Sequence, residues 1–449
     1  MNEHPSDLIA RTVELDAHEG GRLDLLALAG DDGKLFECEG AGLACLGQAL
    51  VLDLPDGLGA PTGPGGLGAP TGSGGPTGPT GPAAPAAPTR LGAAERIVSM
   101  LGQIEAHGSL PIAGSGPIAV GALPFDLGAP ASLVVPAVTF GVSRDGTAWR
   151  TTVSRRGDPE PALPGAARAP SEAPWPPDRF TLSSPCPHDK WCEKVASAVA
   201  QVESGQLAKV VLAREVLVEA NRKLLVSDIL GRLRALYPSC TIFSMGGFVG
   251  ASPELLVSRR SSSVLSHPHA GTVARSGDPD TDDALIAELM KSPKERREHR
   301  VVVEGIASAL TPLCQRLDVP EEPSIVLLRN VSHLATLIQG ELGPNAPSAL
   351  GLAAMLHPTP AVAGTPTGAA LELIAELEGM DRDRYAGPVG WVDSRGDGDW
   401  VVGIRSATLD GTTARLVAGV GVVAGSDPRE ELAETQLKLQ ALLAAVVRP

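Results

Sequence analysis

The chain has 449 residues, with 37 Lys and Arg against 52 Asp and Glu and a formal net charge of −15; that balance argues against a general nucleic-acid binder, which needs clustered cations for the phosphates. With 43% hydrophobic residues it can bury a sizeable core, and at roughly 100–200 residues per domain the length suits two or three small domains or one large one. Its longest apolar runs, such as 416–423, fall far short of the roughly 18 residues that a membrane span needs, so no membrane partner is expected.

The first stretch, MNEHPSDLIARTVELD, is acidic and lacks a charged-then-apolar leader, which predicts a cytoplasmic protein. Short strand-like pieces follow at 11–15 and 43–54. From 57 to 89 the chain contains only Gly, Ala, Pro, Thr and Ser apart from Leu58 and Leu67, and the unit GLGAPTG recurs at 57 and 66. Such a stretch cannot bury enough apolar surface to offset its conformational entropy, so it reads as a disordered Gly/Pro-rich insert serving as a spacer in a surface loop. Gly holds no strict period of three, which excludes collagen. A helix is expected at 93–107, then strands in IAVGALPFD and LVVPAVTFGV. A second Pro-rich stretch, 158–177, separates this half from the rest.

Beyond it, apolar periodicity predicts helices at 188–204, 227–237, 282–313, 347–356 and 428–447. Strands are expected in KVVLAREVLVEA, TIFSMGGFVGA, ELLVSRR, RDRYAGPVGWVD, GDWVVGIRSATLDG and ARLVAGVGVVAG. This mixture is α+β, not a regular βαβ series. The six cysteines (Cys38, Cys45, Cys186, Cys192, Cys240 and Cys314) form no CxxC pair and read as reduced thiols, not as a zinc or redox motif.

Two acidic pairs carry the first chemical signal. Glu295 and Glu298, like Glu431 and Glu434, are three residues apart, which places each pair on one helix face. The second pair follows a Gly-rich strand end, GVGVVAGSDP, where a ligand can approach the backbone closely. Exposed acidic positions are usually just solvated, but two such pairs converging would make a hard oxygen site suited to Mg²⁺ and an anionic ligand group.

The segments KVVLAR (209–214), GASPELL (250–256), HAGT (269–272), KERREH (294–299), HPTPAVAG (357–364), RYAGPVGW (384–391), IRSA (404–407) and AGVGVVAGSDPREELAETQLK (418–438) are similar, in order, to the motifs of the chorismate-utilising enzymes. That family includes isochorismate, salicylate, anthranilate and aminodeoxychorismate synthases. The resemblance covers 181–447, and before that mainly GPIAVGALPFD. It implies one large aminodeoxychorismate synthase-like α+β domain over 1–449, two antiparallel sheet layers flanked by helices, with the chorismate-binding catalytic region at 181–449. No counterpart exists for the 57–89 insert.

The resemblance also implies roles. Mg²⁺ would be held by Glu298 and Glu434, with Glu295 and Glu431 holding metal-bound waters, and would carry the ring carboxylate of chorismate. Arg405 and Tyr385 would take the enolpyruvyl carboxylate with Lys438 and the amides near Gly419 and Gly421; Tyr385 also reads as ordinary core. Gly271 and Thr272 would line the substrate site. His333 matches a lining position, either orienting substrate or simply packing. Lys209 would activate water, where ammonia-using members carry glutamine; the bland alternative is a lysine snorkelling from a strand. Glu254 would protonate the departing C4 hydroxyl. Ala270 stands where members forming a covalent intermediate have lysine, and Ala361 where lyase members have threonine. These choices point to the isochorismate-forming branch, with salicylate synthesis and a non-catalytic chorismate-binding paralogue as alternatives. Chorismate is then the expected partner, with no glutamine amidotransferase subunit and a monomeric chain. Two residues depart from the family pattern: Val273, and His269, which is expected to titrate near neutrality and impose a pH dependence.

Overall fold

Alternating and continuous apolar runs make strands here far more often than helices, and they assemble into two large sheets. The computed structural model describes residues 4–15, 23–59, 90–108, 110–163 and 175–447. Among these, the larger sheet has 13 strands, the second nine and a third three. Pairing is antiparallel except where Leu8–Leu15 meets Glu105–His107. The architecture is the expected α+β arrangement of two sheets with flanking helices, to which the small third sheet is added. Its strands are Ser324–Leu327, Val331–Ala335 and His269–Ala274.

Strand Lys209–Ala220 lies second from one edge of the large sheet, yet it is central to the site. Its β-branched and leucine side chains suit a strand buried on both faces, and it pairs with Thr413–Val422 from Val210↔Val422 to Glu219↔Thr413. The chief apolar cluster runs between the sheets, joining Ala213 and Val417 of the first to Val257, Trp400 and Val402 of the second. Helices Arg90–Gly102 and Ala349–Leu356 cover that cluster with Ala93, Ile97, Leu350 and Ala353.

Several expected elements divide where the chain must turn. The 282–313 helix is two helices, Pro279–Lys291 and Pro293–Leu310. Pro293 has no N–H to continue the first helix and drives Ser292 to an extended ψ of 116°, while suiting the first turn of the second. Ser292 Oγ then accepts from the Glu295 amide at 3.3 Å, capping the helix that carries Glu295 and Glu298. Residues 311–313 form only a 3-10 turn. TIFSMGGFVGA is a hairpin, Thr241–Met245 and Phe248–Ser252, turning on Gly246 and Gly247, both with positive φ. The 43–54 piece is two strands, Ala41–Leu46 and Leu50–Leu54, in different sheets. The expected 93–107 helix ends at Gly102, and Glu105–His107 is a strand.

The boundary of the insert also moves. Residues 60–89 lie outside the described residues, as do 164–174 of the second Pro-rich stretch. Residues 57–59, however, are packed: Leu58 is buried and its amide donates to Leu127 O at 2.7 Å. Arg90, the first described residue after the gap, donates from Nε to Gly59 O at 2.8 Å and from Nη1 to His357 O at 2.9 Å. The cysteines are free, as expected, and no helix among the described residues is long and apolar enough to cross a membrane.

A helix not anticipated from the sequence, Thr367–Glu378, ends on a buried acid. Glu378 Oε1 accepts from the Ala213 amide at 2.7 Å, and Oε2 accepts from Arg382 Nε at 2.9 Å. Arg382 in turn donates to Val362 O at 2.7 Å and Val211 O at 2.9 Å, its guanidinium lying 4.3 Å over the Phe125 ring. This pair ties the central strand to two loops. Removing one member leaves the other charge buried and unpaired, so Glu378→Ala should cost about 3–5 kcal/mol in denaturant unfolding; a loss below about 1 kcal/mol would show that the clamp carries little of the fold.

Candidate active site

The cleft beside the central strand is lined by side chains that are up to 229 positions apart in sequence, from Lys209 to Lys438. Thirteen of the expected site residues line it: Lys209, Glu254, Gly271, Thr272, Glu298, His333, Ala361, Tyr385, Arg405, Gly419, Gly421, Glu434 and Lys438. Glu295 stands just behind, accepting from the Thr272 amide, and Glu431 stands near Glu434 with Lys294 as its partner.

At one end, Lys209 opens the central strand fully buried, its Nζ 2.8 Å from Glu298 Oε1. The pair meets over Gly421, where a Cβ would lie 2.3 Å from Glu298 Oε1 and 2.8 Å from Lys209 Cε. No other residue fits there without displacing one of them. The helix Pro428–Val446, started by an Asp427 side-chain cap and Pro428, presents Glu431, Glu434 and Lys438. Lys438 Nζ lies 2.6 Å from Glu434 Oε1 and 3.0 Å from Gly419 O.

The four carboxylates crowd each other. Burial, then the neighbouring Glu434 charge, pushes Glu431 up to about 7. Burial followed by Glu298 raises Glu295. Lysines offset part of this charge, with Lys294 3.4 Å from Glu431. Among the described residues no three His, Cys, Asp or Glu side chains are grouped as metal ligands. Even so, the donor set fits Mg²⁺: carboxylate oxygens from two helices, repelling one another in a partly dry site, suit an ion that takes one or two carboxylates and completes its shell with waters and a ligand anion.

Glu254 sits deeper, in the turn between Phe248–Ser252 and Leu255–Arg260. Burial pushes its pKa up to about 8, against the opposing pull of Lys209, Arg405 and Lys438. It is therefore a neutral acid at pH 7, facing the same cleft as a lysine.

The far end is cationic. Arg405 interrupts what the sequence suggested as one strand, between Gly398–Val402 and Ser406–Asp410, with a φ of 49°. It is nearly buried, no ion-pair partner is found for it among the described residues, and its Nε lacks a hydrogen-bond partner. A buried guanidinium of this kind calls for an anion. Tyr385, in a loop and not on the expected strand, lies beside Gly419, with burial raising its phenol to about 12. His269 corrects an expectation: burial, reinforced by His267, holds its pKa well below 6.5, so it does not titrate near neutrality. Val273 does not line the cleft. Sequence reasoning missed Arg382, Val211 and Val362, which also line the cleft; the only hint was a charged residue in RDRYAGPVGW.

The Glu254 pKa makes a stability prediction. Its folded value of about 8 exceeds the ordinary 4.5, so the stability contributed by the neutral carboxyl is full below pH 4.5 and is lost as pH rises through about 8. Glu254→Gln lacks this loss. Its melting temperature relative to the wild type should climb between about pH 5 and pH 9; a pH-independent difference would contradict the assignment.

Comparison with known proteins gives concordant matches. The family model described as chorismate binding enzyme matches residues 148–447. Isochorismate synthase DhbC of Bacillus subtilis (strain 168) is 37% identical over 362 residues, covering 78% of this chain and 85% of that protein. Isochorismate synthase EntC of Escherichia coli (strain K12) is 35% identical over 332 residues, covering 73% and 80%. Among solved structures, MenF, the menaquinone-specific isochorismate synthase from Escherichia coli, superposes with a TM-score of 0.73 at 24% identity over 98% of this chain and 95% of that one. Anthranilate synthase component I from Streptococcus pneumoniae TIGR4 gives 0.60 at 24% identity, covering 75% and 82%. The two structural likenesses are of fold alone.

Proposed function

The chain belongs to the chorismate binding enzymes, and from that membership we propose that it is an isochorismate synthase, with Lys209 as base and Glu254 as acid. The observation that carries the acid–base assignment is a carboxylic acid kept protonated to about pH 8 in the same dry cleft as a buried lysine. A carboxylic acid and a lysine facing one cleft suit the two proton-transfer roles. The relatives named isochorismate synthase, DhbC and EntC, support the substrate and product.

In this reading water adds at C2 of chorismate and loses a proton to Lys209. The ring double bonds shift, and the C4 hydroxyl leaves as water with the proton of Glu254. One proton is gained at Lys209 and one lost at Glu254, so the net reaction is an isomerisation and the two groups reset by exchange with solvent. Arg405 and Tyr385 take the enolpyruvyl carboxylate, Arg405 through the planar fork that meets a carboxylate with two hydrogen bonds. Lys438 adds charge at that end, while Gly271, Thr272, His333 and Ala361 shape the wall. Glu298 and Glu434 would hold Mg²⁺, with Glu295 and Glu431 orienting its waters. When bound, the ion would supply positive charge for the ring carboxylate. Ala361 has only a methyl group at the position where pyruvate-eliminating members carry threonine, so it offers no hydroxyl to press the side chain over the ring.

Incubation with chorismate and Mg²⁺ should yield isochorismate with little pyruvate; stoichiometric salicylate and pyruvate would overturn the reading. Lys209→Gln and Glu254→Gln should fold and lose about 10²–10⁴-fold in turnover, and near-wild-type rates in either would remove it from the mechanism. For the metal, calorimetry should show Glu298→Ala and Glu434→Ala weakening Mg²⁺ and chorismate binding together. Undisturbed Mg²⁺ binding in both would mean that the ligands lie elsewhere.

A further inference from the structure

Strand His269–Ala274 pairs with Val331–Ala335, and the register slips between Ala270 and Thr272. Gly271 is the surplus residue, with a φ of 79°; a glycine in this conformation is what a bulge of this type requires. A Cβ there would lie 3.2 Å from Glu295 O and Leu334 Cδ1 and 3.3 Å from Glu295 Oε2. The bulge brings Thr272, in place of Gly271, directly opposite His333. Opposed residues of an antiparallel pair share a face, and their side chains touch.

That contact fixes a proton. Thr272 Oγ1 lies 3.0 Å from His333 Nδ1, and Arg405 Nη2 lies 3.1 Å from His333 Nε2. A guanidinium has donors only, so Nε2 must accept and the imidazole proton must sit on Nδ1, donated to the Thr272 hydroxyl. Burial, then the Arg405 charge, keeps His333 well below the usual imidazole range, so the ring is neutral. On its other side the Thr272 amide donates to Glu295 Oε2 at 3.1 Å. A continuous chain thus runs from the acidic cluster through Thr272 and His333 to Arg405. No carboxylate among the described residues holds that guanidinium; His333 is the side chain that orients it.

We propose that Thr272 is a positioning residue: it accepts the Nδ1 proton that Arg405 leaves on His333, and so holds the ring, and through it the plane in which Arg405 offers its fork to a substrate carboxylate. The substrate part of this inference rests on the function proposed above, whereas the Nδ1–H bond is a property of the protein alone.

The test uses full-length protein with 15N-labelled histidine. His333→Gln assigns the resonances, and Thr272→Val keeps the shape while removing the acceptor. The free wild-type protein should show His333 with an Nδ1 proton protected from solvent exchange and a bare Nε2; the Val variant should keep the bare Nε2 that Arg405 sets but lose the protection, and Thr272→Ser should restore it. In turnover, Thr272→Val should raise KM for chorismate about tenfold, the scale of one lost hydrogen bond, with a much smaller change in kcat, and Thr272→Ser should recover most of it. Thr272→Ala serves as a second variant if valine perturbs packing. Unchanged protection of the His333 Nδ1 proton in both the Val and Ala variants overturns the proposal. If the protection follows residue 272 while chorismate is not turned over, the proposed function fails and the positioning role stands.

Discussion

The constraint on which the cleft depends is the burial of the Lys209 side chain against Glu298. A charge at that depth must have a partner, and the partner arrives from a helix distant in sequence, across a strand position that has no room for a side chain. Three requirements therefore coincide. The central strand must begin at Lys209, its neighbour must carry glycine at 421, and the Pro293 helix must start where Glu298 reaches over that glycine. The Pro293 break, which divides a helix that apolar periodicity alone would continue, serves the third requirement by giving the acidic pair a capped helix of its own.

Given that pair, burial distributes the remaining chemistry. The cleft is acidic toward the two helices and cationic toward Arg405, and Glu254 lies between them with few polar partners. Desolvation alone would raise any carboxyl there; Lys209, Arg405 and Lys438 moderate the effect without abolishing it. An acid that gives up a proton near neutrality results from this balance, not from any single neighbour.

How much of this was legible in the sequence depends on the range of the interactions. Helical spacing placed Glu295 with Glu298 and Glu431 with Glu434, since a three-residue period is a local property. That the two pairs would meet Lys209 and Arg405 came from a resemblance in motif order, because nothing local specifies contacts across 200 residues. The Pro293 break was readable from proline's missing N–H and was overridden by the apolar pattern around it. The Glu378–Arg382 clamp was not readable: its partners, Ala213 and Val211, are backbone groups more than 160 positions away. The Thr272–His333 bond was also hidden, because it follows from a one-residue slip in strand register. Leu58 is a smaller lesson, a large apolar side chain that opens the Gly/Pro run and is buried.

The bond from Arg90 to the Gly59 carbonyl has a consequence for how such a chain can change. It fastens the two edges of the 60–89 segment to each other and, through the His357 carbonyl, to the core. Residues 59 and 90 are thus held together by bonds that belong to the described fold, and not by the residues between them. The clamp separates the length of the intervening sequence from the register of the fold on either side of it.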